Sequence, residues 1–225
     1  MSCPKRFHIG GRVSRRSSLV ACALALVIAT PAMAQSVADP AAKAHTSRLF
    51  LGLGVNGSAI KADDADEGRS GGGLSFSLGW GFTPNIALVA DLAGASMDAG
   101  DGEQYGLGHA DLLARFSLAR AGHAFVPYVE AGLTGRAAVQ RDVTIIDDQG
   151  NPQTGDLSIS GTGFTLGGGA QYFVARSLAL GASLQWTTGQ FNQATFQDAT
   201  VDGYEIDANS TRLTVGLSWY PMAGR

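Results

Sequence analysis

Cysteine is almost missing from this chain: Cys3 and Cys22 are the only two in 225 residues, and both stand close to the N-terminus. Lysine is nearly as scarce, with Lys43 and Lys61 the only ones after residue 34. No apolar run reaches the roughly 20 residues that a membrane-spanning helix needs; the longest, Leu19 to Ile28, has half that length. Helical periodicity is absent as well. These gaps exclude a disulfide scaffold, a lysine-rich nucleic-acid-binding surface and a helical membrane bundle.

The N-terminus reads as an export signal. Lys5, Arg6, Arg12, Arg15 and Arg16 precede the Leu19 to Ile28 stretch, and Pro31-Ala32-Met33-Ala34 supplies small residues for cleavage before Gln35. Ser14-Arg15-Arg16 imitates a twin-arginine signal and Leu19-Val20-Ala21-Cys22 a lipoprotein box, but Cys22 stands near the start of the apolar region, whereas a lipobox cysteine ends it. With residues 1–34 removed, both cysteines leave, and so do five of the 16 basic residues. The 11 that remain face 19 acidic ones, a formal charge of −8. Nucleic acid is not expected as a partner. Residues 35–46 read as a periplasmic linker and 47–225 as one domain.

What the chain has in abundance is alternation with a period of two, the mark of strands with unlike faces. One face carries Leu49, Leu51, Leu53 and Val55; Leu74, Phe76, Leu78, Trp80 and Phe82; and Ile86, Leu88, Ala90 and Leu92. The same face continues through Ala110 to Leu118, Phe125 to Leu133, Phe164 to Tyr172, Leu178 to Trp186 and Leu213 to Trp219, eight strands in all. The other face is small and polar: Gly52, Gly54 and Asn56; Ser75, Ser77, Gly79 and Gly81; Thr165, Gly167, Gly169 and Gln171; Thr214, Gly216 and Ser218. A soluble barrel of the lipocalin kind, binding a ligand in the periplasm, would need a charged outer surface of about a quarter to a third Lys, Arg, Asp and Glu. A transmembrane barrel of eight strands instead needs small residues in a crowded lumen and bulky apolar ones toward lipid. The composition fits the second.

Connections alternate in length. Thr83-Pro84-Asn85, Arg120 to Ala124 and Arg176-Ser177 are short, as expected of periplasmic turns; Lys61 to Ser70, Asp98 to Tyr105, Val139 to Ser158 and Gly189 to Asn209 read as long extracellular loops. Trp80, Phe82, Phe116, Phe125, Tyr172 and Trp219 stand at the short-turn ends and predict a periplasmic aromatic girdle, while Trp186 and Phe164 begin the outer one.

The eight-strand pattern over residues 48 to 220 resembles the small OmpA/OmpX-type outer-membrane β-barrels, and Thr214 to Tyr220 is similar to that family's terminal strand. The resemblance implies an all-β, eight-stranded antiparallel up-and-down barrel, with outer-membrane lipid and lipopolysaccharide as surroundings and the barrel-assembly machinery as a partner during biogenesis. Pro221 departs from the family's terminal aromatic. The peptidoglycan-binding domain of full-length OmpA is missing, so a wall-anchoring role does not transfer.

Candidate chemistry lies on the inner face, where Asp91, Asp111 and Glu130 meet Arg115, Arg136 and Arg212. Desolvated charges in a narrow lumen require pairing, which reads as a structural plug ahead of a gated ion path. Pairing across the Arg120 to Ala124 turn puts Arg115 diagonally near Glu130. Gln185, inward beside outward Leu184, reads as a place where an extra arginine fits among those carboxylates. A lipid A-modifying enzyme is the alternative reading, but His109 and Ser117 are about 27 Å apart along a strand, and His109 is expected as a hydrogen-bonded filler. No cofactor, metal or catalytic residue is predicted. Asp63, Asp64, Asp66 and Glu67, Asp98, Asp101 and Glu103, Asp142, Asp147, Asp148 and Asp156, and Asp198, Asp202, Glu205 and Asp207 make the loops acidic without the spacing of a calcium-binding loop. The function expected is structural or surface-interacting, through those loops, with no open pore.

Overall fold

The computed structural model describes residues 46–63, 67–100, 103–119, 123–146, 152–196 and 199–222. The expected signal, the acidic residues Asp64, Asp66, Asp101, Asp147, Asp148 and Asp198, and the linker before Thr46 lie outside them. Eight strands follow in order: β1 (Arg48–Ala62), β2 (Arg69–Gly81), β3 (Ile86–Gly100), β4 (Glu103–Ser117), β5 (Phe125–Ile146), β6 (Pro152–Ala175), β7 (Leu178–Phe196) and β8 (Ala199–Trp219). Each pairs antiparallel with its neighbours in sequence, and β1 pairs with β8, so the sheet closes on itself. Closure is what lets strands cross hydrocarbon, because it leaves no edge of unpaired N–H and C=O groups.

The two faces sort as their chemistry requires. Leu53, Leu74 and Leu133 are about 70% exposed on the outside, and Trp80, Phe116, Leu166 and Val215 join them there. Inside, Ser75, Thr165, Gln171, Gln185 and Ser210 are buried. Along β2 the outward apolar set runs from Leu74 through Trp80 to Phe82 just past the strand, eight residue steps. At about 3.4 Å per step and a tilt of about 40°, that set rises roughly 21 Å, close to the ~25 Å apolar band of an outer-membrane barrel.

The connections at one end are short, leaving residues 82–85, 118–124 and 176–177 between strands. At the other end the segments expected as long loops over 98–105, 139–158 and 189–209 are largely strand. β5 and β6 stay paired out to Ile146 and Pro152, and β7 and β8 out to Phe196 and Ala199. Hydroxyls link partners directly across both extensions, Thr144 with Thr154 at 3.0 Å and Thr195 with Thr200 at 3.2 Å. Threonine is at home on a pleated strand whether wet or dry, so a polar segment continues as a hairpin beyond the apolar band.

Candidate functional site: the lumen and its two ends

The lumen is layered. At the short-turn end Phe50, Phe173 and Tyr220 seal it, with both phenylalanine rings 5.2 Å from the tyrosine ring. Val89, Leu113, Val126 and Ala179, each fully buried, complete this plug. The Tyr220 hydroxyl donates to Gln171 Oε1 at 2.7 Å, and its backbone N–H donates to Ser177 O, so the residue after the last strand is drawn inward.

A charged layer lies directly on the plug. The Arg115 guanidinium sits 4.1 Å from the centroid of the Tyr128 ring and 5.5 Å from that of Phe50. From Nε and Nη2 it reaches Glu130 Oε2, both at 2.8 Å. This pair is directly opposed in the β4–β5 ladder rather than diagonal, a shift of two residues from the expected register. Gln185 donates to Glu130 Oε1 at 2.8 Å and accepts from Arg212 Nε at 2.8 Å, so one amide joins two ion pairs. Arg212 in turn pairs closely with Asp111 and stands 3.9 Å from Asp91. Thr134 donates to Asp111 at 2.5 Å, and Thr165 and Thr187 extend the chain of hydroxyls at 2.7 Å. A cavity of about 50 Å³ beside Asp91, Ser75, Thr214 and Ser218 has room for a few waters, at roughly 10–15 Å³ each.

Arg136 stands apart from this network. Its Nη1 donates to Ala208 O at 2.9 Å and its guanidinium lies 4.8 Å from the Phe191 ring centroid, but Nε and Nη2 have no hydrogen-bond partner although the residue is only 2% exposed. His109, its ladder partner, is buried with neither ring nitrogen hydrogen-bonded. The expectation of a hydrogen-bonded filler is corrected: of the residues paired with His109 across the two ladders, Ala93 has no polar side chain, and the Arg136 guanidinium is engaged with Ala208 O and the Phe191 ring. Above them Met97, Leu107, Phe191 and Ala208 form a second apolar cluster toward the long-loop end.

The aromatic set faces outward throughout. Trp80, Phe82, Phe116, Phe125, Tyr172 and Trp219 are 37–64% exposed at the short-turn end. Trp186 and Phe164 are the last large apolar side chains on the outer faces of β7 and β6, where Thr188, Gln190 and Thr162 follow. Among the described residues no group of three His, Cys, Asp or Glu is placed to hold a metal.

The model of the outer membrane protein beta-barrel domain matches residues 20–220. The chain belongs to this family. It is therefore an outer-membrane protein, and the apolar band faces outer-membrane lipid. Among solved structures, Neisserial surface protein A shares the fold, with a TM-score of 0.54 and 13% identity over 76% of this chain and 96% of that one. OprG from Pseudomonas aeruginosa (TM-score 0.49, 14% identity, 78% and 97% covered) and Ail, the attachment invasion locus protein of Yersinia pestis (0.46, 13%, 78% and 100%), are similar at lower scores. No curated protein matches by sequence.

Of the six charged residues singled out in the sequence, Asp91, Asp111, Arg115, Glu130 and Arg212 lie together in the middle layer of this family member's lumen and Arg136 stands apart; the apolar ends were missed. Phe50, Val89, Leu113 and Phe173 occupy inward positions between outward apolar neighbours, so that the strand reads locally as a run, whereas Phe191 stands between Gln190 and Asn192. Counting parity outward from Gly52 or Gln171 was the signal that could have placed them.

Proposed function

We propose that the protein works at the cell surface as a closed barrel, in a structural or contact-making role, without passing solutes. The filled lumen carries this reading: the Phe50, Phe173 and Tyr220 plug and the Arg115, Glu130, Gln185 and Arg212 layer lie in series across it. Eight strands enclose an interior about wide enough for side chains alone. What is left for function is the long-loop end, where paired hairpins project beyond the apolar band and carry Asp63, Asp156, Glu205 and Asp207 into solvent. That end is taken as extracellular because short turns face the periplasm in such barrels. Lipopolysaccharide is then its immediate neighbour, and the acidic tips are its contact with anything beyond.

Trypsin applied to intact cells tests the topology. Cleavage after Lys61, Arg69 or Arg141 at the long-loop end is expected, with none after Arg48 or Arg176 at the other; cuts at the latter pair would invert the barrel. An acyl-release assay on lipopolysaccharide addresses the enzyme alternative, and the result expected is no release.

A further inference from the structure

The long-loop end of the lumen holds a cavity of about 530 Å³, within the roughly 300–1,000 Å³ of small-ligand sites. Ile60, Tyr105, Ile159, Phe191 and Ile206 line it, on five different strands, with Arg69 on its wall. An apolar lining is unexpected at the wet end of a barrel whose middle is polar. Alternation would seat serine or threonine there as readily as it does in the middle of β6 and β8.

We propose that this cup binds a compact, uncharged apolar molecule carrying one hydrogen-bond acceptor, of the ketone, ester or lactone class. Three observations converge. The body of the ligand is set by the aliphatic walls. Its polar group is set by the donors on the wall, Arg69 and the Tyr105 hydroxyl. A guanidinium offers only donors and a phenol hydroxyl can donate, so the group that meets them must accept. The absence of charge follows from the lining and rim: Glu67 lines the cup along with Arg69, one charge of each sign, and Asp63, Glu205 and Asp207 stand exposed nearby at the same end, so a carboxylate gains no net attraction to offset its desolvation. The inference rests on the closed-barrel reading only for what happens next. With the lumen sealed below, the molecule is held and not passed on.

The test uses the full mature protein in lipid nanodiscs with isoleucine methyls labelled, titrated with 2-adamantanone, a rigid ketone. Saturable shifts of the Ile60, Ile159 and Ile206 methyls are expected, with Ile86, outward at the other end, unmoved. Adamantane-1-carboxylate should bind at least about tenfold more weakly. Tyr105→Phe should weaken ketone binding by about fivefold through loss of the donor, and Ala208→Phe should abolish it by filling the floor; should Ala208→Phe fail to fold, Tyr105→Phe and the carboxylate comparison still decide. Equal shifts at Ile86 would mean partition into lipid, and a carboxylate that binds as well as the ketone, or no saturable shift at all, would overturn the proposal. Channel conductance together with ketone binding would overturn the closed-lumen reading and leave the cup standing.

Discussion

Gln185 shows how much a neutral side chain does between charges in a dry lumen. Its amide N–H holds Glu130 and its carbonyl holds Arg212, so the Arg115–Glu130 and Arg212–Asp111 pairs become one connected unit across β4, β5, β7 and β8. The sequence suggests this position would take an arginine among nearby carboxylates, and the structure corrects that. Arginine has no acceptor for Arg212 Nε, and it would set two guanidiniums against each other at 3% exposure. Leu184, one residue earlier, faces lipid at 55% exposure. Leu184→Arg is expected to cost about 2–4 kcal/mol near the bilayer midplane and less toward the interface. Gln185→Arg should be comparably destabilising for the opposite reason, a buried charge without its partner, about 3–5 kcal/mol. Urea titrations in lipid vesicles followed by tryptophan fluorescence check both; a Gln185→Arg variant as stable as wild type would show that the amide bridge carries no weight. The outward Leu184 and the inward Gln185 were legible from parity, whereas the bridge was not. Which acid meets which base depends on stagger between strands, and the sequence of one strand does not contain it.

At the scale of elements, the eight strands and their short turns were readable because hydrophobic alternation is strongest where one face meets lipid. The extensions were not readable, because beyond the band both faces are wet and the alternation fades. The β5–β6 hairpin keeps its ladder there through a bulge between Gln140 and Val143, with Asp142 at φ 56° and its N–H bonded to the Asp156 carboxylate at 3.4 Å. Asp tolerates this left-handed conformation better than branched residues do. Such a hairpin owes nothing to the membrane and little to the lumen, so the barrel should fold without it. Gln140 and Leu157 are ladder partners, and joining them by Asn-Gly in place of residues 141–156 supplies the two-residue turn that best suits a hairpin. The shortened chain is expected to keep the distinct gel migration of a folded barrel when unboiled. Loss of that shift would mean the extension is needed to close the β5–β6 pair.

Over the whole molecule, closure of the lumen is achieved twice by unlike means. The short-turn plug works by packing: Gly79 has no Cβ because one there would lie 2.1 Å from the Phe50 ring, and that ring fills the space. The layer above works by pairing, and Arg115 belongs to both, stacked over Phe50 while bonded to Glu130. Two seals in series differ from one thick seal in what a mutation does. Phe50→Ala removes a ring at 2% exposure and is expected to cost about 3–5 kcal/mol of stability, read as a lower urea midpoint. It should leave conductance across a planar bilayer at background, and so should Phe50→Ala with Tyr220→Ala, because the charged layer still spans the lumen. Adding Arg115→Ala and Glu130→Ala removes one of the two ion pairs of the second layer without stranding a charge between them, and discrete openings are expected only in that combined variant, provided the unboiled gel shift shows it folded. Openings in Phe50→Ala alone would mean that the ion-pair layer is permeable and the aromatic plug the sole barrier.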